Sequence, residues 1–209
     1  MVYRRYKMPV ISNFGVPVNG NDGTTLMPKL QYRFRVVFNG IGKAGIAKKE
    51  LTQNVISVSR PNMSHEEVIV DSYNSKTYLA GKHTWEPVTI VFRDDMTSNV
   101  IKALGEQLNK QVDHSDQASA IAGEGYKFAV EIQTLDGNNG QNSAPEQFDT
   151  WKLMGCFIQN VQYGELNYAT SDMVQVTLTL RYDHAEHIID NTDVLSKETR
   201  SADGTFAQG

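Results

Sequence analysis

Five histidines, His65, His83, His114, His184 and His187, are the residues best suited to chemistry in this 209-residue chain. The closest set is His184, Glu186 and His187 in the run DHAEH, which follows a strand. A metal site needs further ligands converging from elsewhere in the fold, so the plainer reading of the run is an exposed turn. No G-x-S-x-G, H-E-x-x-H or P-loop pattern is present. The glycines of Gly40–Gly45 lack the strand–GxGxxG–helix setting that cradles phosphate. Asp94 and Asp95 adjoin, but successive strand residues face opposite sides, which suits a strand end and a helix cap better than an acid–base dyad. Lys43, Lys48 and Lys49 form a basic finger that reads first as a solvated loop and second as a contact for an acidic protein surface. Nucleic acid is disfavoured there because no aromatics interleave. Trp85 and Trp151 each sit in an alternating strand, where core packing is the default. The chain reads as a non-enzyme with no cofactor and no metal.

Composition narrows the class further. The hydrophobic content of 40% suits one core with much polar or partner-covered surface. No run of 18 apolar residues is present, so no membrane-spanning helix is expected. The basic start MVYRRYK is not followed by an apolar stretch and a small-residue cleavage site, which argues against a secretory signal. The lone Cys156, among Met154, Phe157 and Ile158, reads as an inert buried thiol, and an intracellular origin is the simplest expectation. Residues 1–29 carry a net charge of +3 and residues 188–209 a net of −2, which leaves −5 for residues 30–187. An acidic body is a poor grip for phosphate.

The elements that must position any site are mostly strands. Residues 1–29 lack periodicity but hold Tyr3, Tyr6, Val10, Ile11, Phe14 and Val16, too apolar for plain disorder. They suit an extended arm that docks on a partner subunit. Leu30–Asn39 alternates as a half-buried strand, and Val55–Arg60 is a short strand stopped by Pro61. Glu66–Tyr73 and Lys76–Ala80 flank the polar tip Ser72–Ser75 as a protruding hairpin, and His83–Phe92 is the next strand. Asp95 or Thr97 caps the one expected helix, Ser98 to about Gln111, with Val100, Ile101, Leu104 and Leu108 on its apolar stripe. Tyr126–Gln133, Phe148–Ile158 and Met173–Tyr182 complete the strands, and 188–209 is a polar tail. A strand of ten residues spans roughly 33 Å, against a radius of gyration of ~17 Å for a chain this long. The long strands therefore cross most of the molecule. Seven or eight of them with one helix give a mainly β (α+β) antiparallel sandwich or half-barrel, whose edges must be covered or paired. On the last strand Gln175, Thr177 and Thr179 alternate with Val174, Val176 and Leu178. Any sheet with one wet face reads this way; the functional alternative is that the face lines a water-filled channel.

Two segments carry a family resemblance. YLAGKHTWEPVTIVFRDD, with Gly81, Thr84, Trp85, Asp94 and Asp95, and NVQYGELNYATSDMVQVTLTLRYD, with Asn160, Val161, Gly164, Glu165, Leu166, Tyr168 and Tyr182, resemble segments of the tail tube proteins of T-even-type contractile-tailed phages. Type VI secretion tube proteins share that architecture. The likeness spans residues 30–186 and implies a structural virion protein of the tail, assembled in the host cytoplasm. Its subunits form hexameric rings, each lending strands to a closed inner β-barrel, and the rings stack into a tube. The resemblance further implies sheath, baseplate, tail-terminator and tape measure proteins as partners, no membrane, and DNA ejected through the lumen without specific binding. Ser72, Tyr73, Asn74, Ser75, Lys76 and Thr77 fall at the family's ring-stacking loop, and Gln175, Thr177 and Thr179 become candidate lumen residues. The arm 1–29, the tail 188–209 and the inserts 112–124 and 136–147 exceed a minimal tube subunit, which leaves a specialised baseplate or end ring open.

Overall fold

The computed structural model describes residues 18–19, 24–25, 29–42, 48–119, 125–136, 147–189 and 192–195. The arm's apolar residues 3–16, Lys43, most of the 136–147 insert and residues 196–209 of the tail lie outside them. The chain divides into two compact units, Met1–Arg33 and Phe34–Gly209. In the first, strands β1 (Val18–Asn19) and β2 (Thr24–Thr25) pair antiparallel. Leu30 accepts a hydrogen bond from the Arg33 amide in a turn.

The second unit is built on one long strand, β9 (Gln147–Gln162). Its first half pairs with β8 (Phe128–Leu135) on one side and β11 (His184–Ile189) on the other. Its second half pairs with β10 (Gln175–Arg181), which lies on the same side as β11 because Tyr182 and Asp183 merely join the two strands. From β8 the sheet extends to β3 (Phe34–Asn39); from β10 it extends through β7 (Val88–Arg93) to β4 (Val55–Val58). Every pairing is antiparallel, and among the described residues the sheet does not close on itself. Short β12 (Thr192–Asp193) covers β11 at Ile188 and Ile189.

The strands crease together at one corner. Gly155 holds φ +66°, and a Cβ there would overlap the carboxylate of Asp183 in the link between β10 and β11. Glycine is thus required for both conformation and space. Lys127 donates to the Asp183 carboxylate across the crease, and this bond holds the Lys127 ammonium above its usual pKa.

Period-two alternation fills the space inside the crease. Val36, Phe38, Val130 and Leu153 from one half-sheet meet Val88, Ile90, Phe92, Val176, Leu178 and Leu180 from the other, all essentially inaccessible. Phe38 and Phe92 pack with ring centroids 5.8 Å apart. Helix α2 (Asn99–Gln111) closes the core with Val100, Ala103 and Leu104. Its N-terminus is capped by Asp95, whose Oδ1 accepts from the Asn99 amide (3.1 Å) and the Thr97 hydroxyl (2.9 Å). These bonds, the Thr97 hydroxyl's first, lower the Asp95 pKa. The buried face includes Gln107, which lies outside the apolar stripe of the sequence. It is fully buried, accepting from the Gly42 amide and donating to the Tyr126 carbonyl.

Four sequence expectations need correction. A second helix, α1 (Lys48–Gln53), follows the glycine loop and buries Leu51, so Lys48 and Lys49 are helical rather than in a loop. The first strand begins at Phe34, not Leu30, because residues 30–33 make a turn. The strand expected over His83–Phe92 breaks at Glu86 and Pro87, since proline has no N–H for the ladder. The DHAEH run is not a turn but opens strand β11, paired to β9 from Met154 to Asp149.

Candidate functional site

A long hairpin leaves the sheet between β4 and β7. Among the described residues strands β5 (Met63–Ser72) and β6 (Ser75–Trp85) pair only with each other, and they are exposed along nearly their whole length. The ladder shifts register between His65 and Glu67. There Gly81 faces the bulge: a Cβ on it would come within 2.8 Å of the Glu66 carbonyl oxygen. The glycine of the first sequence segment therefore serves close backbone approach. Trp85, 7% exposed, anchors the root against Tyr182, with ring centroids 5.8 Å apart, and against His83 and His184. Among the described residues neither Trp85 Nε1 nor the Tyr182 hydroxyl has a hydrogen-bond partner, although both are buried. Burial pushes the Tyr182 pKa up to about 12.

At the far end Ser72 and Ser75 pair across a two-residue turn of Tyr73 and Asn74, and the Ser75 hydroxyl donates to the Ser72 carbonyl at 3.1 Å. Tyr73 has φ +47° with its side chain fully in solvent. Glycine or asparagine normally occupies such a position. A large aromatic held there at a cost of about 1–3 kcal/mol is the kind of strain that marks a functional surface. Lys76 and Thr77 follow in β6, and Lys76 pairs with Asp71 at 3.5 Å in solvent. All six residues expected at the tip, Ser72 to Thr77, are thus gathered there. Behind them the hairpin exposes Val68, Ile69, Val70, Tyr78 and Leu79. Lone exposed apolar residues are ordinary, but a contiguous set on one protrusion marks an interaction surface.

A second surface is the outer face of the β9–β10–β7–β4 half-sheet. The register sets Thr177 beside Val91 and Gln162, and Thr179 beside Thr89 and Asn160. Gln175 pairs with Arg93, and Ser57 of β4 lies beside Val91. Gln175, Thr177 and Thr179 therefore belong to one hydroxyl- and amide-rich face, on which Arg93 stands without a carboxylate across the ladder. Asn160, Gln162 and Thr89 were missed from sequence, because membership of a face is decided by cross-strand register.

The sheet's edges make a third feature. Among the described residues β3 pairs only with β8, and β4 only with β7. The second half of β9 is different: the Gln111 carboxamide accepts from the Ile158 amide (3.0 Å) and donates to the Ile158 carbonyl (3.1 Å), standing in for a neighbouring strand.

The groups suited to catalysis are accounted for structurally. His184 and His187 are three residues apart on a strand and so face opposite sides. His187 Nε2 lies 2.6 Å from the buried Asp149 carboxylate, and its ring stacks on Trp151 at 4.0 Å. Among the described residues no three His, Cys, Asp or Glu side chains are grouped to hold a metal ion. Cys156 is buried, and desolvation pushes its thiol up to about 12, which suits inert packing. Among the described residues no helix is long and apolar enough to cross a membrane.

No family model matches the chain, and no curated protein matches it. Solved structures do. A chain in the anti-feeding prophage tube-terminating cap is 15% identical with a TM-score of 0.59, covering 81% of this chain and 96% of that one. A chain in the sheath–tube complex of an extracellular contractile injection system, in the extended state, gives 15% and 0.57, covering 78% and 92%. A chain in the 6-fold symmetrised anti-feeding prophage baseplate gives 16% and 0.54, covering 78% and 97%. The structural relatives are tube, baseplate and cap components of contractile injection systems, and at these identities the likeness is one of fold.

Proposed function

We propose that the chain is a structural subunit of the tube of a contractile injection particle, assembling into rings that stack through the β5–β6 hairpin. The observation that carries this reading is an antiparallel sheet whose β3 and β4 edges are unpaired among the described residues, with a long, exposed, apolar hairpin. Ring closure satisfies strand edges that a monomer leaves bare. The relatives with the same fold, one of them from a 6-fold symmetrised assembly, support six subunits per ring. The amide and hydroxyl face of Gln175, Thr177 and Thr179 is the proposed lumen wall: these three uncharged groups do not trap phosphate, although Arg93 beside Gln175 offers it a contact. Sheath, baseplate, tail-terminator and tape measure proteins are the proposed partners, and a phage virion tail passing DNA is the proposed setting. On this reading residues 1–29 and 188–209 are an arm and a tail flanking the tube domain.

Electron microscopy of the concentrated purified protein tests the proposal. Rings or tubes with a central hole are expected; a monomer that persists across protein and salt concentrations would overturn it. A rival ligand-binding β-sandwich using exposed tryptophan and tyrosine cannot draw on Trp85, which is buried at the hairpin root, and would rest on the half-buried Trp151 and the surface tyrosines.

A further inference from the structure

We infer that the loop joining β9 to β10, residues 163–174, is the socket that receives the β5–β6 hairpin tip of a second copy of this chain. The inference rests on the assembly reading above and names the receiving surface of its axial contact.

Placement comes first. The hairpin root, Trp85, precedes the start of β7 at Val88. The loop gathers at the other end of β7, where Gln175 pairs with Arg93 and the Asp94 amide donates to the Val174 carbonyl at 3.0 Å. Six strand residues put about 20 Å between these ends. The hairpin root and the loop thus lie at opposite ends of β7, so a head-to-tail contact can join the hairpin of one copy to the loop of the next. Such a contact joins two different patches, leaves one of each unused, and propagates rather than closing after two copies.

The chemistry of the two ends matches. The loop borders an open pocket of ≈ 580 Å³ whose lining includes Leu166, Tyr168, Met173, Glu165 and Asp172. Leu166 is 82% exposed and Tyr168 fully so. A void of that size lies in the range of sites that enclose whole small molecules, so it has room for an aromatic side chain such as Tyr73. Its base is fixed by Gly164, which holds φ +77° and where a Cβ would lie 2.7 Å from the Gln175 carbonyl oxygen. The loop carries two carboxylates and no cation, whereas Ser72–Tyr78 carries Lys76 and no carboxylate. The exposed Lys76–Asp71 pair is weakly held in solvent and readily exchanged for a carboxylate of the socket. Behind the tip, the hairpin's exposed Val68, Ile69, Val70, Tyr78 and Leu79 extend the apolar surface available to the contact.

Site-directed cross-linking tests the contact. Tyr73→Cys and Leu166→Cys proteins are purified separately, mixed under assembling conditions and oxidised; the buried Cys156 does not compete. A disulfide-linked dimer at least tenfold more abundant in the mixture than in either variant alone is expected, and adding Lys76→Glu to the tip variant should lower that yield severalfold. Stacked tubes in the unoxidised mixture together with no mixed dimer would overturn the socket while leaving the ring reading intact. If unmodified protein forms no rings under the same conditions, the assembly reading falls and the socket with it.

Discussion

Replacing Gln107 by leucine should destabilise the subunit far more than its polar identity suggests. Gln107 is inaccessible to solvent, and its carboxamide is held between the Gly42 amide at 3.1 Å and the Tyr126 carbonyl. Leucine fills nearly the same volume, so no cavity forms, but both backbone groups lose their partner. Each buried orphan costs about 1–3 kcal/mol, and the better transfer of leucine from water returns about 1 kcal/mol. The net loss is about 1–5 kcal/mol, a large share of the roughly 5–15 kcal/mol that holds a domain together. For a chain of this length it should lower Tm by roughly 2–20 °C. Circular dichroism melts and urea titrations on Gln107→Leu measure this, with exposed Asn109→Leu on the same helix as control. The control should move little. A Gln107→Leu Tm within 1 °C of the parent would refute the reasoning, because the two bonds would then contribute nothing.

Other outcomes follow from the same geometry. Deleting Ser72–Ser75 should leave single rings intact and abolish stacking; tubes of ordinary length from that variant, seen by electron microscopy, would remove the hairpin from the assembly reading. Gly155→Ala places a methyl group on the Asp183 carboxylate in a backbone conformation disfavoured for alanine, and should lower stability by about 1–3 kcal/mol, whereas Gly105→Ala, inside α2 with open space around it, should raise it by about 0.5–1 kcal/mol. Alkali should melt the fold: the Cys156 and Tyr182 pKa values are raised to about 12 from 9.0 and 10.0, and that of Lys127 is raised from 10.5. Stability from these groups is complete below their unfolded values and is lost as pH climbs from about 9 toward 12; a Tm unchanged between pH 8 and 11.5 would contradict this. Native Cys156 should resist iodoacetamide for hours and react within minutes in denaturant, as read by mass spectrometry.

Strands with clean alternation are legible in the sequence to within a few residues. The alternating apolar residues of β7, β8 and β10 identify them because one face of each is core, and the hairpin tip is visible in its short polar residues between apolar runs. The β11 strand is hidden because its early positions hold His184, Glu186 and His187; His187 is satisfied by Asp149 and Trp151, partners that only the fold supplies. The roles of Gln107 and Gln111 in α2 are hidden for the same reason, since a buried amide is spelled like an exposed one. The polar face is legible along β10 alone, and its neighbours on β9 and β7 depend on a register no single strand encodes. The socket loop reads as a bend between strands, although Leu166, Tyr168 and Met173 are conspicuous apolar residues in a turn.

The Gln111 amide at Ile158 has a consequence for the arithmetic of growth. By occupying the flank of β9 with its own side chain, the subunit withdraws one strand edge from exchange with other molecules, while β12 shields part of β11. Among the described residues the margins still open in the main sheet include β3, β4 and the part of β11 beyond β12. Fewer open margins mean fewer ways for copies to join sideways, and so fewer branched contacts. On the assembly proposed above, one helix glutamine thus helps separate a hollow cylinder from a tangled aggregate.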